Sequence, residues 1–121
     1  MKIKKVKIEI KGLDEALKEA GTVFEKISKG ERIRKKEAIY FSNLKEMRKI
    51  LTEKRLELLK MIKDKKPASV YELAKMVGRD IKNVLEDLAY LQEIGLVEIT
   101  ETKDKKIPHV DYDKIAFEVA I

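Results

Sequence analysis

The 121-residue sequence predicts an α+β fold, because three patterns of apolar side chains occur in different parts of the chain. Residues 2–11 alternate apolar and charged side chains, which is typical of a strand with one buried face. Residues 69–95 carry apolar side chains at intervals of three and four, which predicts two short helices joined by a tight turn. Residues 115–121 alternate again and predict a half-buried strand, whose partner is either the first strand or the same element of a second subunit.

The first 42 residues are predicted to form a strand-helix-strand extension. Gly12 ends the first strand, and a helix is expected over residues 13–28 because its apolar residues share one face. Residues 38–41 are predicted to form a short strand. The basic connector before it contains Arg32, Arg34, Lys35 and Lys36. This connector is either a phosphate-binding loop or a solvated link.

Two further helices are expected before the tight-turn pattern. Ser42 or Asn43 would cap a helix that runs to about Ile50, and Thr52 would cap another over residues 53–63. The second of these has a wide apolar face and would be the first helix of the winged part of the domain. The domain as a whole is predicted to span residues 43–121.

The stretch SVYELAKMVGRDIKNVLEDLAYLQEIG, residues 69–95, carries the signals of a helix-turn-helix. Ser69 and Glu72 have the spacing of a capping box, in which hydroxyl and carboxylate each accept a hydrogen bond from an orphan amide. Gly78 would close the first helix, and Asp80 would cap the second. The buried stripe predicted for the second helix is Ile81, Val84, Leu85, Leu88 and Leu91. Such a unit typically presents its second helix to the major groove of DNA.

A strand, a charged turn and a second strand are expected after this unit, as in a winged helix. Residues 96–102 are strand-like, and residues 107–112 would return beside them. The tip between them is Lys103, Asp104, Lys105 and Lys106. Pro108 confines the returning strand to an edge or a bulge, because proline has no N–H to donate to a ladder.

From about Leu51 to Tyr112 the chain resembles the winged helix-turn-helix of small prokaryotic transcriptional regulators of the MarR-like type. The segments LTEKRLELLKMI and SVYELAKMVGRDIKNVLEDLAYLQEIGLVE are most similar to predicted archaeal DNA-binding regulators, and GRD-x-KNV is the more specific element. The resemblance covers about half of the chain. It implies a regulator of transcription that binds double-stranded DNA sequence-specifically, as a homodimer on two half-sites. The position after KNV-x is often basic in that family, whereas this chain has Glu86 followed by Asp87.

The expected DNA-binding residues follow from the helix-turn-helix and the wing. Lys82 and Asn83 would reach base edges, since Asn reads adenine bidentately and Lys reaches guanine acceptors or phosphate. Glu86 would either accept from a cytosine amino group or pair with Lys82. The expected phosphate contacts are Arg79, Lys54, Arg55, Lys103, Lys105 and Lys106. Each wing lysine has the alternative of an ordinary solvated residue, and Tyr71 and Tyr90 are expected to be packing residues.

The chain offers little for catalysis or metal binding. It has no cysteine, and its single histidine, His109, lies near Asp111 and Asp113 in what is expected to be a polar turn. It contains neither a G-x-G-x-x-G nor a Walker-type loop, and no serine or threonine has a credible base partner. We therefore expect no enzyme, no cofactor and no metal site.

Charge and composition bear on the partners and the location. The formal net charge is +6. Residues 1–36 hold 12 basic and 6 acidic residues, whereas residues 37–121 hold 16 of each. Abundant Lys and Glu, with Asn only at 43 and 83 and Gln only at 92, suit a thermophile. No long apolar stretch and no signal-peptide pattern is present, so a soluble cytoplasmic protein without membrane contact is expected.

Two alternatives stay open at the level of sequence. A neutral winged domain also suits a protein-protein interaction module that does not bind DNA, and RNA is a weaker third candidate because no aromatic stacking platform is visible. Residues 1–42 are a candidate dimerisation element, and the alternative is an extension that packs within the monomer.

Overall fold

The computed structural model describes residues 4–11, 18 and 38–119, which form four helices and five strands. The elements are β1 (Lys5–Ile10), β2 (Ala38–Phe41), α1 (Leu44–Ile50), α2 (Glu53–Lys65), α3 (Val70–Val77), α4 (Ile81–Glu93), β3 (Glu98–Glu101), β4 (Lys106–His109) and β5 (Lys114–Val119). The expected α+β class is therefore confirmed. Apart from Lys18, the helix predicted over residues 13–28 lies outside the described residues, and so does the basic connector.

The first and last strands share a three-stranded sheet in the order β2-β1-β5. Both pairings are parallel, with Ile8 opposite Ile39 on one side and opposite Phe117 on the other. Of the two partners considered for the C-terminal strand, the first strand is the one observed. This sheet therefore joins the predicted extension, residues 1–42, to the end of the remaining chain.

One hydrophobic core lies between this sheet and the helices. It draws on β1, on all helices from α2 to α4 and on the segment that leads into β3. Its buried members are Val6, Ile8, Leu51, Leu58, Leu59, Ile62, Val70, Leu73, Ala74, Val84, Leu88, Leu91, Leu96 and Val97. Since Val6 and Ile8 belong to the same cluster as the helical residues, β1 packs within the monomer.

The helix boundaries follow the predicted capping residues. The Oδ1 of Asn43, the Oγ1 of Thr52 and the Oγ of Ser69 accept from N–H groups three residues later, at 2.8, 3.3 and 3.1 Å. The Glu72 carboxylate completes the capping box by accepting from the Ala68 N–H at 3.0 Å. Gly78 closes α3 at φ 67°, in the left-handed region that glycine adopts without strain. These contacts confirm the predicted starts of α1, α2 and α3 and the predicted end of α3, whereas α2 runs to Lys65, two residues beyond its expected end.

Two details at the start of α4 differ from the prediction. Asp80 occupies the N-cap position, but its side chain makes no capping hydrogen bond. Ile81, expected in the buried stripe, is 37% exposed. The first residue of a helix has only one turn of neighbours to cover it, so the apolar period alone overestimates its burial.

β3 and β4 form a separate antiparallel hairpin, with Ile99 opposite Pro108. The hairpin has only two strands, so Pro108 lies in an edge strand, as its missing N–H requires. At the turn, the Thr102 N–H donates to the Lys105 carbonyl at 2.8 Å. The predicted strand, charged turn and strand are therefore present, in slightly shorter strands than expected.

The polar face of the three-stranded sheet carries an ion-pair network around Glu9. The Glu9 carboxylate lies 2.8 Å from Lys11 Nζ and 3.3 Å from Lys7 Nζ, and Lys7 Nζ also lies 3.2 Å from Glu118 Oε2. The Lys11 ammonium is the main reason that the pKa of Glu9 is lowered, and it outweighs the opposite effect of burial. Glu9 is therefore a carboxylate that the folded state keeps ionised.

This network predicts a specific acid sensitivity. A carboxyl group with a lowered folded pKa contributes stability above its unfolded pKa of about 4.3, and this contribution is lost as the pH falls through the folded pKa. We expect the melting temperature to fall below roughly pH 4.5 and Glu9→Gln to flatten that fall. The pKa of Asp113 is also lowered, by the Lys4 backbone N–H and by Lys63. Part of the fall in melting temperature should therefore remain in Glu9→Gln.

Thermal melts over roughly pH 3 to pH 7 measure the effect. Glu57→Gln is the matched control, because Glu57 is exposed and has no ion pair within the described residues. If the melting temperature fell equally steeply with decreasing pH in Glu9→Gln and in the control, the network would not contribute to stability.

Candidate nucleic-acid interface

α4 has a buried face and an exposed face that differ in chemistry. Val84, Leu88 and Leu91 are fully buried in the core. Lys82, Asn83 and Glu86 are exposed, and within the described ranges none of these three side chains forms an ion pair or a hydrogen bond. The pairing of Glu86 with Lys82 that the sequence allowed is therefore not formed. The first turn and a half of α4 presents a cation, an amide and a carboxylate to solvent.

The tip of the β3–β4 hairpin, residues 102–105, adds further cations. Lys103 and Lys105 are exposed and have no acidic partner in the part of the chain that the structure covers. Lys106, at the start of β4, lies 3.7 Å from Glu101 on the paired strand. Two of the three predicted wing lysines therefore have no acidic partner among the described residues, and the third lies close to a carboxylate.

A groove of about 390 Å³ lies between the hairpin tip and the starts of α3 and α4. Ser69, Val70 and Tyr71 contribute from the start of α3, Ile81 and Leu85 from α4, and Asp104, Lys105 and Lys106 from the hairpin. Tyr71, expected to be a packing residue, is 58% exposed here. Its ring lies 4.7 Å from Lys75 Nζ. The groove therefore has apolar walls near the helices and a charged rim at the hairpin, where two lysines outnumber one aspartate.

Asp87 connects three elements behind this exposed face. Its Oδ2 lies 2.7 Å from Arg79 Nη2, and its Oδ1 lies 3.1 Å from Arg55 Nε. The Asp87 and Arg55 side chains are only 15% and 12% exposed. The carboxylate thus ties α4 to α2 and to the turn after α3, and it does not add negative charge to the exposed face.

Arg55 has further contacts within the protein. Its Nη1 donates to the carbonyls of Lys49 and Ile50 at 3.1 and 2.8 Å, and its guanidinium lies 4.2 Å from the ring centre of Tyr90. These bonds join the end of α1 to α2 and α4. Arg55 was expected to contact phosphate, but in this structure its donors are engaged inside the fold.

Arg79 and Lys54 differ in their availability. Arg79 donates to Asp87, and its Nη1 is buried without a hydrogen-bond partner among the described residues. Lys54 is exposed in the first turn of α2 and does not line the groove. Seven of the nine residues expected at the interface are exposed, namely Lys54, Lys82, Asn83, Glu86, Lys103, Lys105 and Lys106. Of these, Lys105 and Lys106 line the groove beside α4. The other two, Arg55 and Arg79, are engaged internally by Asp87.

The sequence pattern predicted no role for Asp87. A signal for it was available, because Asp87 lies three residues after Val84 and four before Leu91, at the margin of the buried stripe. A carboxylate at such a margin needs a cationic partner, since burying a charge without one is unfavourable.

Other kinds of site find no support in the described part of the chain. It contains no group of three or more histidine, aspartate or glutamate side chains placed to hold a metal ion. Near His109, Asp113 is engaged instead by the Lys4 N–H at 2.9 Å and by Lys63 Nζ at 3.1 Å. None of the described helices is long and apolar enough to span a bilayer.

The family comparison covers the elements that build this region. The HVO_A0114 family model matches residues 50–117, more than half of the chain, from the end of α1 to the middle of β5. No curated protein matches the chain. The extent of the family match shows that this chain belongs to the HVO_A0114 family.

Proposed function

We propose that this protein is a winged helix-turn-helix regulator of transcription, of the MarR-like type, that binds double-stranded DNA. In this proposal α3 and α4 are the helix-turn-helix, α4 is the recognition helix, and the β3–β4 hairpin is the wing. The observation that carries it is the exposed start of α4, whose polar side chains have no partner among the described residues, beside a groove whose hairpin side carries Lys105 and Lys106.

Base reading is assigned to the first turn and a half of α4. The Asn83 amide has no hydrogen-bond partner among the described residues, and it matches the donor and acceptor that adenine presents in the major groove. The Lys82 ammonium, likewise without a partner in the described ranges, suits the guanine acceptors or a phosphate, and the Glu86 carboxylate suits the amino group of cytosine. A side chain without an internal partner loses no bond when it turns to a base. Binding through these three residues would therefore break no contact seen in the described structure.

The two arginines take a supporting role in this proposal. Arg55 and Arg79 hold Asp87 from α2 and from the turn, which fixes the orientation of α4 relative to the first helix of the domain. They act on DNA through the position of α4, and phosphate contact is assigned to Lys103, Lys105, Lys106 and Lys54.

A dimer on two half-sites and a cytoplasmic location complete the proposal. A two-fold protein on a two-fold operator gains the contacts of two recognition helices, which is the usual arrangement of such regulators. An archaeal, thermophilic source is proposed from the sequence resemblance and the composition.

A protein-protein interaction module is the alternative function. Two observations favour it: residues 37–121 carry no net charge, and the exposed apolar side chains of Tyr71 and Ile81 line the groove. Titration of a fluorescent duplex over a salt series separates the two functions. Steep weakening with salt supports DNA binding, and no binding even at low salt supports the interaction module.

The hairpin lysines make a quantitative prediction for that titration. Lys103→Ala/Lys105→Ala is expected to weaken binding to specific and random duplex about equally, because these side chains would contact phosphate and not bases. Each lost phosphate contact lowers the slope of log affinity against log salt by about one, so the double variant should lose roughly two.

The matched control for the hairpin lysines is Lys45→Ala/Lys60→Ala, which removes two exposed lysines from α1 and α2. The control should keep the wild-type slope. Equal slopes in the hairpin variant and the wild type would remove the hairpin from the interface.

A further inference from the structure

β5 is an edge strand with an open outer side among the described residues. It pairs with β1 on one side only, since the sheet order is β2-β1-β5. Phe117 and Val119 on this strand are 49% and 56% exposed. An edge strand with exposed apolar side chains is a template for another strand, unless charges or a bulge protect it.

The backbone of β5 offers its hydrogen-bonding groups in alternation. The Lys114 N–H donates to the Lys4 carbonyl at 3.3 Å, so Lys114 faces β1. Because the N–H and C=O of successive residues point to opposite sides of a strand, Ala116 and Glu118 also face β1. The N–H and C=O groups of Ile115 and Phe117 point to the outer edge, where the described structure supplies no partner.

The side chains of β5 also alternate between the two faces of the sheet. Lys114, Ala116 and Glu118 lie on the polar face, and Ile115 and Phe117 lie on the apolar face. Lys114 has no acidic partner within the described residues, whereas Glu118 lies 3.2 Å from Lys7 and is still 57% exposed. The strand therefore has, on the same face and four residues apart, one cation without a described acidic partner and one accessible carboxylate.

We propose that β5 pairs antiparallel with β5 of a second copy of this chain, with Ala116 on the two-fold axis. In this register Lys114 lies opposite the partner's Glu118, Ile115 lies opposite the partner's Phe117, and each pair occurs twice. The small Ala116 side chain meets its own copy at the axis. The two three-stranded sheets then form one six-stranded sheet.

The hydrogen-bonding groups fit the same register. Residues directly opposite each other in an antiparallel pair alternate between hydrogen-bonded and non-hydrogen-bonded positions. Ile115 and the partner's Phe117 would be a hydrogen-bonded pair, and these are the residues whose N–H and C=O groups point outward. A shift of the partner strand by two residues would place Ala116 opposite the partner's Glu118 or opposite its Lys114, and it would lose both Lys–Glu pairs. The proposed register is the one in which each Lys114 lies opposite a Glu118, and this charge complementarity favours a second copy over an unrelated strand.

In this proposal the dimerisation element is the C-terminal strand, whereas the sequence led us to expect it in residues 1–42. It goes beyond the proposed DNA binding and stands on different residues. A protein that dimerises through β5 but does not bind duplex DNA would contradict the proposed DNA binding and leave the β5 interface unaffected. A monomer that binds duplex DNA would contradict the β5 interface and the proposed dimer, but not the proposed DNA binding.

Sedimentation equilibrium of the full chain without DNA tests the association. We expect a mass that rises with concentration to about twice the 14.1 kDa of one chain. Hydrogen exchange followed by NMR locates the contact, because the Ile115 and Phe117 amides should gain protection as the dimer forms. The Ala116 and Glu118 amides, already bonded to β1, should be protected at every concentration.

Charge exchange tests the register. Lys114→Glu and Glu118→Lys each place like charges opposite one another at two points, so each should weaken the dimer by about tenfold. The double variant Lys114→Glu/Glu118→Lys restores opposite charges and should regain most of the affinity. Lys45→Glu is the matched control, and the melting temperature of the monomer at low concentration shows that each variant is folded.

The outcomes are distinguishable. A monomeric mass up to about 1 mM protein would overturn the proposal, because a pairing weaker than this has less than about 4 kcal/mol of affinity. A dimer that is insensitive to both single charge variants, or one that leaves the Ile115 and Phe117 amides unprotected, would also overturn it.

Discussion

Replacing both Lys82 and Asn83 by alanine is expected to weaken binding to a specific duplex by about 100-fold, with little change in melting temperature. A good side-chain contact to a base contributes about 1–3 kcal/mol of discrimination, and two contacts would be lost. Both side chains are exposed and unpaired within the described residues, so the fold does not depend on them. Competition between the protein's own upstream DNA and random duplex measures the loss of specificity.

The control for this variant removes exposed residues from the other end of the same helix. Gln92→Ala/Glu93→Ala keeps the helix and its buried face, and we expect its affinity to equal that of the wild type. If Lys82→Ala/Asn83→Ala also retained its affinity, α4 would not read bases through its first turn. If it unfolded the protein, these positions would be structural.

Replacing Asp87 by asparagine is expected to destabilise the fold by about 2–4 kcal/mol. The substitution leaves the guanidinium groups of Arg55 and Arg79 without their shared carboxylate, and both side chains are mostly buried. The cost arises because a partly buried charge loses its counter-charge, so it exceeds the net contribution of the ion pairs themselves. For a chain of this size, a loss of this magnitude lowers the melting temperature by roughly 10 °C.

Differential scanning calorimetry of Asp87→Asn beside Asp64→Asn tests this expectation. Asp64 is an exposed aspartate on α2 without an ion pair among the described residues, and its substitution should leave stability unchanged. A drop of less than about 2 °C in Asp87→Asn would show that the two arginines find other acceptors or solvent. In that case the network would not fix the position of α4.

The helices of the structure were largely predictable from the sequence because their signals are local. Asn43, Thr52 and Ser69 cap helices by accepting from an N–H three residues away, and Gly78 ends α3 through its own backbone conformation. The position of β1 beside β5 was only one of two possibilities, since alternation shows that a strand has a buried face but not which strand pairs with it. The parallel pairing is formed by residues more than 100 positions apart.

The exposed residues of the candidate site could be predicted from the sequence, but the ion pairs behind them could not. Lys82 and Asn83 follow from the helical period, which places them outside the buried stripe. The internal engagement of Arg55 and Arg79 could not be deduced, because a charged residue looks the same in sequence whether it faces solvent or a carboxylate. Asp87 lies 32 positions from Arg55, and only the packing of α2 against α4 brings them together.

We propose that the start of α4 and the hairpin tip form one surface for duplex DNA. NMR titration of the isotope-labelled protein with a duplex of its own upstream DNA, at low salt, measures this most directly. We expect the largest shifts at Lys82, Asn83, Glu86, Lys103 and Lys105, with little change at Phe117 on the far strand. Shifts confined to other surfaces, or none at equimolar duplex, would contradict the account.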